Sequence, residues 1–305
     1  MLSTILSRLG QGGIILFFLI TITFFLVRLM PGDPLTDEKS LPAHIIEKNR
    51  AYYHLDKPVS VQYFYYLKNL SQGDLGGSMS KDGRPVIDII RYAFPVSLTL
   101  GVAAMIIALG IGIPAGVISA LKKNSIIDYS VMAIAMLGIS IPSFVIGPLL
   151  AMGIARHSHV LKVAGWGDPF DWILPSITLG LATAAYIARI TRGGMLEIIN
   201  QDYIRTAYAK GLSPTRVVVK HALRGGIIPA VAYVGPAFAM LVSGSFIVET
   251  IFQVPGLGQH FINATTARDY PILQGVVIFF GFLIVLANLA ADLALVMLNP
   301  RLRNS

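Results

Sequence analysis

The sequence contains no cysteine, which excludes disulfides, thiolate metal sites and a cysteine nucleophile. It is also short of charge. Only 13% of its 305 residues are charged and 54% are hydrophobic, where a soluble domain carries roughly 25% charged residues. A deficit of this size indicates a membrane protein. No Gly-x-x-x-x-Gly-Lys-Ser/Thr phosphate loop occurs, and the dipeptide Gly-Lys is absent altogether, so ATP is not bound by that route. There is no His-Glu-x-x-His zinc helix. The six histidines are scattered, and the only close pair, His157-Ser-His159, is a weak metal signal. Ser243-Gly-Ser245 has no intramembrane histidine nearby in sequence to serve as base, which argues against a membrane serine protease. Ionisable residues within the apolar segments are few: Glu249, and Asp292 one turn after Asn288. A proton-driven pump wants a relay of such groups, so the energy source lies elsewhere.

What the chain does have is long apolar runs. A crossing helix needs about 20 mostly apolar residues. Six segments qualify, at 11–29, 96–121, 129–153, 173–195, 227–250 and 272–298, and the fourth ends in polar residues that suggest a stop near Ala188. The first segment follows Arg8 but lacks an Ala-x-Ala cleavage pattern, so it reads as a retained span rather than a signal peptide. With a cytoplasmic N-terminus, twelve basic residues fall on the inner side. They are Arg8, Lys122, Lys123, Arg189, Arg192, Arg205, Lys210, Arg216, Lys220, Arg224, Arg301 and Arg303. The short outer loops hold three, Arg156, Lys162 and Arg268. Basic residues flanking spans prefer the cytoplasm. The net charge of +8 is thereby explained as orientation and not as a nucleic-acid surface. The long segment from about 31 to 95 then lies outside. Its charges nearly balance, and it carries helix-like pieces at Ala43 to His54 and Val61 to Leu70, a Gly-rich turn at Gly73 to Gly77, and Tyr52, Tyr53, Tyr63, Phe64, Tyr65 and Tyr66. It reads as a cap on its own spans, as a landing surface for an external partner, or as both.

Small residues recur at every fourth position in three spans: Ala104, Ala108, Gly112, Gly116 and Ala120; Ser176, Gly180, Ala184 and Ala188; Gly235, Ala239 and Ser243. Such stripes let helix backbones approach closely. Any one of them fits packing within the chain, and the three together with a polar path would fit an interface with a similar subunit. Pro114, Pro142, Pro148, Pro175 and Pro236 are candidate kinks. Ser140, Ser143, Ser243 and Glu249 are candidates for lining a translocation path, with a conformational or helix-end role as the plainer reading of Glu249.

One stretch is too charged to enter the bilayer: Asp202 to Arg224. Asp202 reads as an N-cap and Tyr203 to Lys210 as two helical turns. Gly211 suits the left-handed position that ends a helix. Ser213 then caps a second helix with Pro214 in its first position, and Gly225-Gly226 break it before the next span. Tyr203, Ala207 and Lys210 share one face of the first helix, and Ile204 and Tyr208 an adjacent one. An elaborate polar helix pair between two spans suggests a docking surface for a cytoplasmic partner.

Here the chain resembles a known family, the permeases of bacterial ATP-binding-cassette importers. Their cytoplasmic loop has the consensus Glu-Ala-Ala, three residues, then Gly. In this chain those positions read Arg205-Thr206-Ala207 and Gly211. Arg205-Thr-Ala-Tyr-Ala-Lys-Gly211, followed by His221-Ala-Leu223 and Pro229, is similar to the oligopeptide/dipeptide/nickel subfamily, in which Arg in place of Glu is typical. Pro31-Gly-Asp-Pro34, Phe94-Pro-Val-Ser97, Asp128-Tyr129, Ile141-Pro-Ser-Phe144, Ala188-Arg-Ile-Thr-Arg192, Glu249, Pro255-Gly-Leu-Gly258 and Arg268-Asp-Tyr-Pro271 extend the likeness over nearly the whole length, closest to its oligopeptide branch.

The resemblance implies an all-α polytopic membrane protein with six transmembrane helices and the type I importer (MetI-like) permease fold. It would comprise an N-terminal helix (1–30), an extracytoplasmic region (31–95), a five-helix core (96–298) with coupling helices at about 202–224, and a cytoplasmic tail (299–305). It implies a non-enzymatic subunit of the bacterial inner membrane with both termini cytoplasmic. Its partners would be a second, homologous permease subunit, two ATPase subunits that use ATP and Mg, and an extracytoplasmic substrate-binding protein. No cofactor would be bound by this chain. Asp202, Tyr203, Ile204, Arg205, Thr206, Ala207, Tyr208, Lys210, Gly211 and Leu212 would meet the ATPase. Cargo would be peptides, with nickel, dipeptides or glutathione as alternatives within the family. A self-contained channel or secondary transporter is the alternative from another class, and the missing relay counts against it.

Overall fold

The computed structural model describes residues 2–35, 43–80, 83–158, 161–243 and 245–298. The expected tail 299–305 and His159 lie outside the described residues. Among the described residues the regular elements are helices, and the only extended pairing is an isolated bridge between Gly77 and Pro85. Among the described residues five stretches are long and apolar enough to cross a membrane: Ser7–Arg28, Val86–Leu121, Pro169–Ile199, Ile228–Ile251 and Tyr270–Ala294. A sixth crossing results if a bent helix pair counts as one span. The chain divides into two compact units, one of residues 2–97 and 255–283, the other of residues 98–254 and 284–298.

The first unit contains α1 (Leu2–Arg28), α2 (Ala43–Tyr52), α3 (Val59–Ser71), the start of α4 (Val86–Leu121), α13 (Leu257–Thr266) and the start of α14 (Tyr270–Leu298). α4 begins ten residues before the expected span, and Pro95 does not interrupt it. Its first turns bury Val86, Ile89, Ile90 and Ala93 against Leu257, Ala264, Ile272, Leu273 and Val276. Two glycines of α14 permit close helix contact: a Cβ on Gly275 would sit 2.5 Å from Val86 Cγ1, and one on Gly281 2.2 Å from Leu19 Cδ2. The loop before α4 turns at Gly73 and Gly76, both at positive φ, where glycine carries no steric penalty. It is tied down by Asp269, which accepts from Ser78 Oγ (2.6 Å), Ser80 N (3.0 Å) and Ser80 Oγ (2.9 Å), and caps α14 by accepting from Ile272 N. Two stretches that carry the family likeness meet nearby, where Leu257 N donates to Ser97 Oγ at 2.9 Å.

The second unit is built around α7 (Ile173–Ile199), which packs against α5 (Ile126–Ser140), α6 (Ser143–Gly153) and α11 (Ile228–Ser243). Here the three small-residue stripes are spent inside the chain. A Cβ on Gly112 would lie 2.6 Å from the Ala184 carbonyl, one on Gly116 2.5 Å from that of Ala188, and one on Gly180 2.7 Å from that of Ala104. The stripes of α4 and α7 therefore face each other. Gly235 of α11 meets Ala291 and Ala287 of α14 in the same way. Of the two readings of the stripes, these contacts support packing within the chain, where backbone contact replaces the missing hydrophobic drive.

Three span boundaries also differ. The expected third span, 129–153, is broken: α5 and α6 meet at 105° across Ile141-Pro142. Proline has no N–H to donate and disfavours helical backbone in the residue before it, and Ile141 is accordingly extended (φ −86°, ψ 118°). Pro148 and Pro236, by contrast, lie within continuous α6 and α11. α7 does not stop near Ala188 but runs eleven residues further, because its polar end is buried and paired as described below. Gly225-Gly226 do not break the chain before the fifth span. They are helical, and only Ile227 separates them from α11.

Candidate functional site

Between α7 and α11 the polar stretch folds into α8 (Asp202–Ala209), a turn, and α9 (Pro214–Arg216), which continues through a π-helical stretch at Val217–Ala222 into α10 (Leu223–Gly226). Gly211 stands in the left-handed region at φ 77°, as its sequence position suggests, and ends the first helix after Lys210. The caps are simpler than expected. Gln201, not Asp202, is the N-cap of α8, and neither it nor Ser213 bonds the helix end through its side chain. Asp202 is the first helical residue, where a negative charge suits the helix dipole. It lies 3.6 Å from Arg205 on the open surface.

α8 is sharply two-sided. Ile204 (1% exposed) and Ala207 (6%) are buried against Ala120, Met195, Val217 and Ala222, with half-buried Leu212 beside them. Tyr203, Arg205, Thr206, Tyr208 and Lys210 remain exposed. The face grouping read from sequence is thereby corrected. Ala207 joins Ile204 on the inner side at i, i+3 spacing, while Tyr203 and Tyr208 look outward. The exposed set combines two phenols and two cations on a short rigid rod, which suits a protein contact.

Behind α8, α10 is fixed to α7 by close approach. A Cβ on Gly226 would lie 2.3 Å from Met195 Sδ, and one on Gly194 would lie 2.4 Å from the Gly226 carbonyl. The glycine pair that reads as a helix break thus serves contact between α7 and α10. Next to it lies a clamp that no single sequence feature announces. Asp128, 1% exposed, accepts from Arg192 Nε (2.6 Å) and Arg192 Nη2 (2.7 Å), from Asn124 N (2.9 Å), and from the Ser119 hydroxyl. One carboxylate thus joins α4, the turn after it, α5 and α7 through a bidentate, charge-assisted pair. The available signal was an acid and an arginine at the ends of apolar segments, each of which needs a partner where the fold buries it. Sixty-four residues separate them, so their pairing could not be read from spacing.

The four path candidates lie on four different helices. Ser140 is exposed and Ser143 half-buried, on either side of the α5–α6 break. The Ser243 hydroxyl donates back to the Ala239 carbonyl (2.7 Å). Glu249 lies in α12 (Phe246–Ile251), fully buried, and takes a hydrogen bond from Ser245. α12 packs on α6, with Ile251 and Phe252 against Gly147. The buried, bonded carboxylate agrees with a conformational role at a helix joint. Among the described residues no group of three or more His, Asp or Glu could hold a metal ion.

Comparison with known proteins places this arrangement. Residues 112–304 match the family described as binding-protein-dependent transport system inner membrane component, and residues 1–101 match the N-terminal region of such membrane components. The oligopeptide transport system permease protein OppB of Escherichia coli K12 is 45% identical over 305 residues, covering 99% of this chain and 100% of that protein. The dipeptide transport system permease protein DppB of Bacillus subtilis 168 is 40% identical over 283 residues, covering 93% and 92%. Among solved structures, an inward-facing form of the MetNI methionine ABC transporter shares the fold, with a TM-score of 0.61 at 20% identity, over 70% of this chain and 97% of that one.

Proposed function

Because the chain belongs to the family of binding-protein-dependent transport system inner membrane components, we propose that it is the permease subunit that forms half of the translocation path of a peptide importer. The relatives named for oligopeptide and dipeptide transport support peptides as cargo. The observation that carries the coupling role is the division of α8. Ile204 and Ala207 bind the rod to its own bundle, and Tyr203, Arg205, Tyr208 and Lys210 are left for a partner.

In this reading two partner ATPases dock on α8 and the turn at Gly211. They bind and hydrolyse ATP with Mg, since this chain has no phosphate loop. Their closure pushes on α8, and the Gly226–Met195 contact and the Asp128–Arg192 clamp carry the push into α7, α5 and α4. A second, homologous permease completes the path, and an extracytoplasmic binding protein delivers cargo to the side bearing the 31–95 region. Both termini and Asp202 to Arg224 face the cytoplasm, as the bias of twelve basic residues to three supports.

The test is uptake of a labelled tetrapeptide by cells whose other peptide importers have been deleted. ATP-dependent uptake that needs this chain supports the proposal. Uptake unaffected by its removal would sink it.

A further inference from the structure

α3 lies alongside the end of α1 that leads into the 31–95 region. The Tyr63 hydroxyl is 2.7 Å from Thr21 Oγ1, and Gln62 Oε1 accepts from Arg28 Nε at 2.9 Å. The Tyr63 ring also packs on Phe24 and Phe25, and Tyr66 stacks on Phe24. Thr21 and Arg28 are separated by seven positions, about 10 Å along a helix. The apolar stretch Ser7–Arg28 is as long as a bilayer core is thick, so Arg28 marks the edge of that core and Thr21 lies inside it. α3 is thereby held at the level where acyl chains give way to headgroups.

The same two bonds fix how α3 is turned. Successive side chains on a helix point about 100° apart. Gln62 meets the end of α1 and Tyr63 meets its interior, so the step from one to the other turns toward the bilayer. Phe64 and Leu67, one residue and one turn beyond Tyr63, continue that turn. Phe64 is 66% exposed and Leu67 is half-buried. The opposite side of α3, with Gln62, Tyr65 and Asn69, faces a cleft shared with Tyr52, Tyr53 and His54, and the His54 ring stacks on Tyr65. One side of α3 thus serves the aromatic cap and the other is left apolar and open. On α1, Phe18 and Phe25 lie about one turn to either side of Thr21 on the same helix face, and both are exposed. The open side of α3 therefore continues an apolar surface of α1.

We propose that α3 is an interfacial anchor, whose Phe64 and Leu67 side lies on the phospholipid surface of the outer leaflet and sets the height of the aromatic cap above it. Lipid is the occupant because of where α3 stands. A partner span packed on this face of α1 would run into α3 before it reached the outer surface, whereas acyl chains end at that level. The side chains suit the place. Tyrosine rings are enriched at the membrane–water boundary, and Lys68, exposed beside Phe64, has a stem that lies along lipid and an ammonium that reaches the headgroups. The proposal rests on α1 as a membrane span and on the cytoplasmic N-terminus, and goes beyond the importer reading.

The test uses polymer-bounded nanodiscs cut from cell membranes, in which the full chain keeps its lipids and its partners. Phe64→Cys, Leu67→Cys and Asn69→Cys each place one nitroxide label on this cysteine-free chain, with the unsubstituted chain labelled in parallel as background. Power saturation in oxygen, which partitions into lipid, and in a water-soluble nickel chelate reads the depth of each label. Labels at 64 and 67 should favour oxygen and lie about 5–10 Å below the headgroup surface, with the label at 69 in water. Phe64→Cys changes an exposed position and carries the test alone if Leu67→Cys does not fold. Nickel reaching 64 as freely as 69 would overturn the anchor. Exclusion of both reagents from 64 would overturn it too, because a protein partner then covers this side. Peptide uptake in cells separates the two readings. Uptake with the label at 64 in water rejects the anchor alone. An immersed label without uptake rejects the importer reading and leaves the anchor.

Discussion

The two units are each organised by a buried aspartate, but with different partners. In the second unit Asp128 is met by the guanidinium of Arg192, in a bidentate pair that ties helix to helix. In the first unit Asp269 is met, among the described residues, by neutral donors, two serine hydroxyls and two backbone amides, which tie a loop to a helix end. A buried carboxylate paired with a cation leaves an uncompensated charge when its partner is removed, whereas one with four neutral donors loses them one at a time. The second unit is therefore built to keep fixed distances between α4, α5 and α7. The first is built to hold a surface loop in shape. That difference matches the force transmission proposed for the second unit.

The comparison breaks most directly at the clamp. Arg192→Ala should abolish uptake and lower the unfolding temperature by several degrees. Arg192→Lys should restore only part of both, because an ammonium cannot reproduce the bidentate fork. If Arg192→Ala left uptake and unfolding unchanged, the clamp would not transmit anything. Next in size is Gly211. The β-branched Gly211→Val is strained at φ 77° and should cut uptake by about tenfold or more while the protein still inserts into membranes. Gly211→Asn, which tolerates that region, should keep most of it. Equal behaviour of Val and Asn would remove the conformational argument.

In the first unit, Ser78→Ala deletes one of four donors to Asp269 and should destabilise by only about 1 kcal/mol in denaturant unfolding. A loss as large as that of Arg192→Ala would erase the contrast between the units. The smallest effect is expected at Arg205→Ala. Its pairing with Asp202 is solvent-exposed, with side-chain exposures of 75% and 97%, so stability should stay within roughly 0.5 kcal/mol. Any fall in uptake then reports a lost partner contact and not a damaged fold.

Much of this was legible in the sequence because its signals are local. Long apolar runs gave the spans, and a glycine flanked by polar residues gave the turn at Gly211. What was misread involved residues whose role depends on a distant neighbour. Gly225 and Gly226 look like a break until Met195 is seen against them. The stripes on α4 and α7 fit either packing within the chain or an interface until each is seen to fill the other. Pro142 carried the break of the third span, but Pro148 and Pro236 lie within helices that continue, so residue type alone could not choose between them. The stretches that carry the family likeness proved to be joints of the fold. Asp128-Tyr129 and Ala188 to Arg192 form the clamp, Ile141 to Phe144 the sharp bend, and Ser97 meets Leu257.

The central claim is that the exposed face of α8 meets an ATPase while its other face holds the bundle. Single cysteines placed at positions 203, 205, 207 and 208 of this cysteine-free chain, in the assembled transporter, test it by crosslinking to the partner subunits. The account predicts crosslinks from 203, 205 and 208, and none from 207, where Ala207 is 6% exposed. Crosslinks from 207 alone, or labelling of 203 and 208 by an impermeant thiol reagent added outside intact cells, would contradict it.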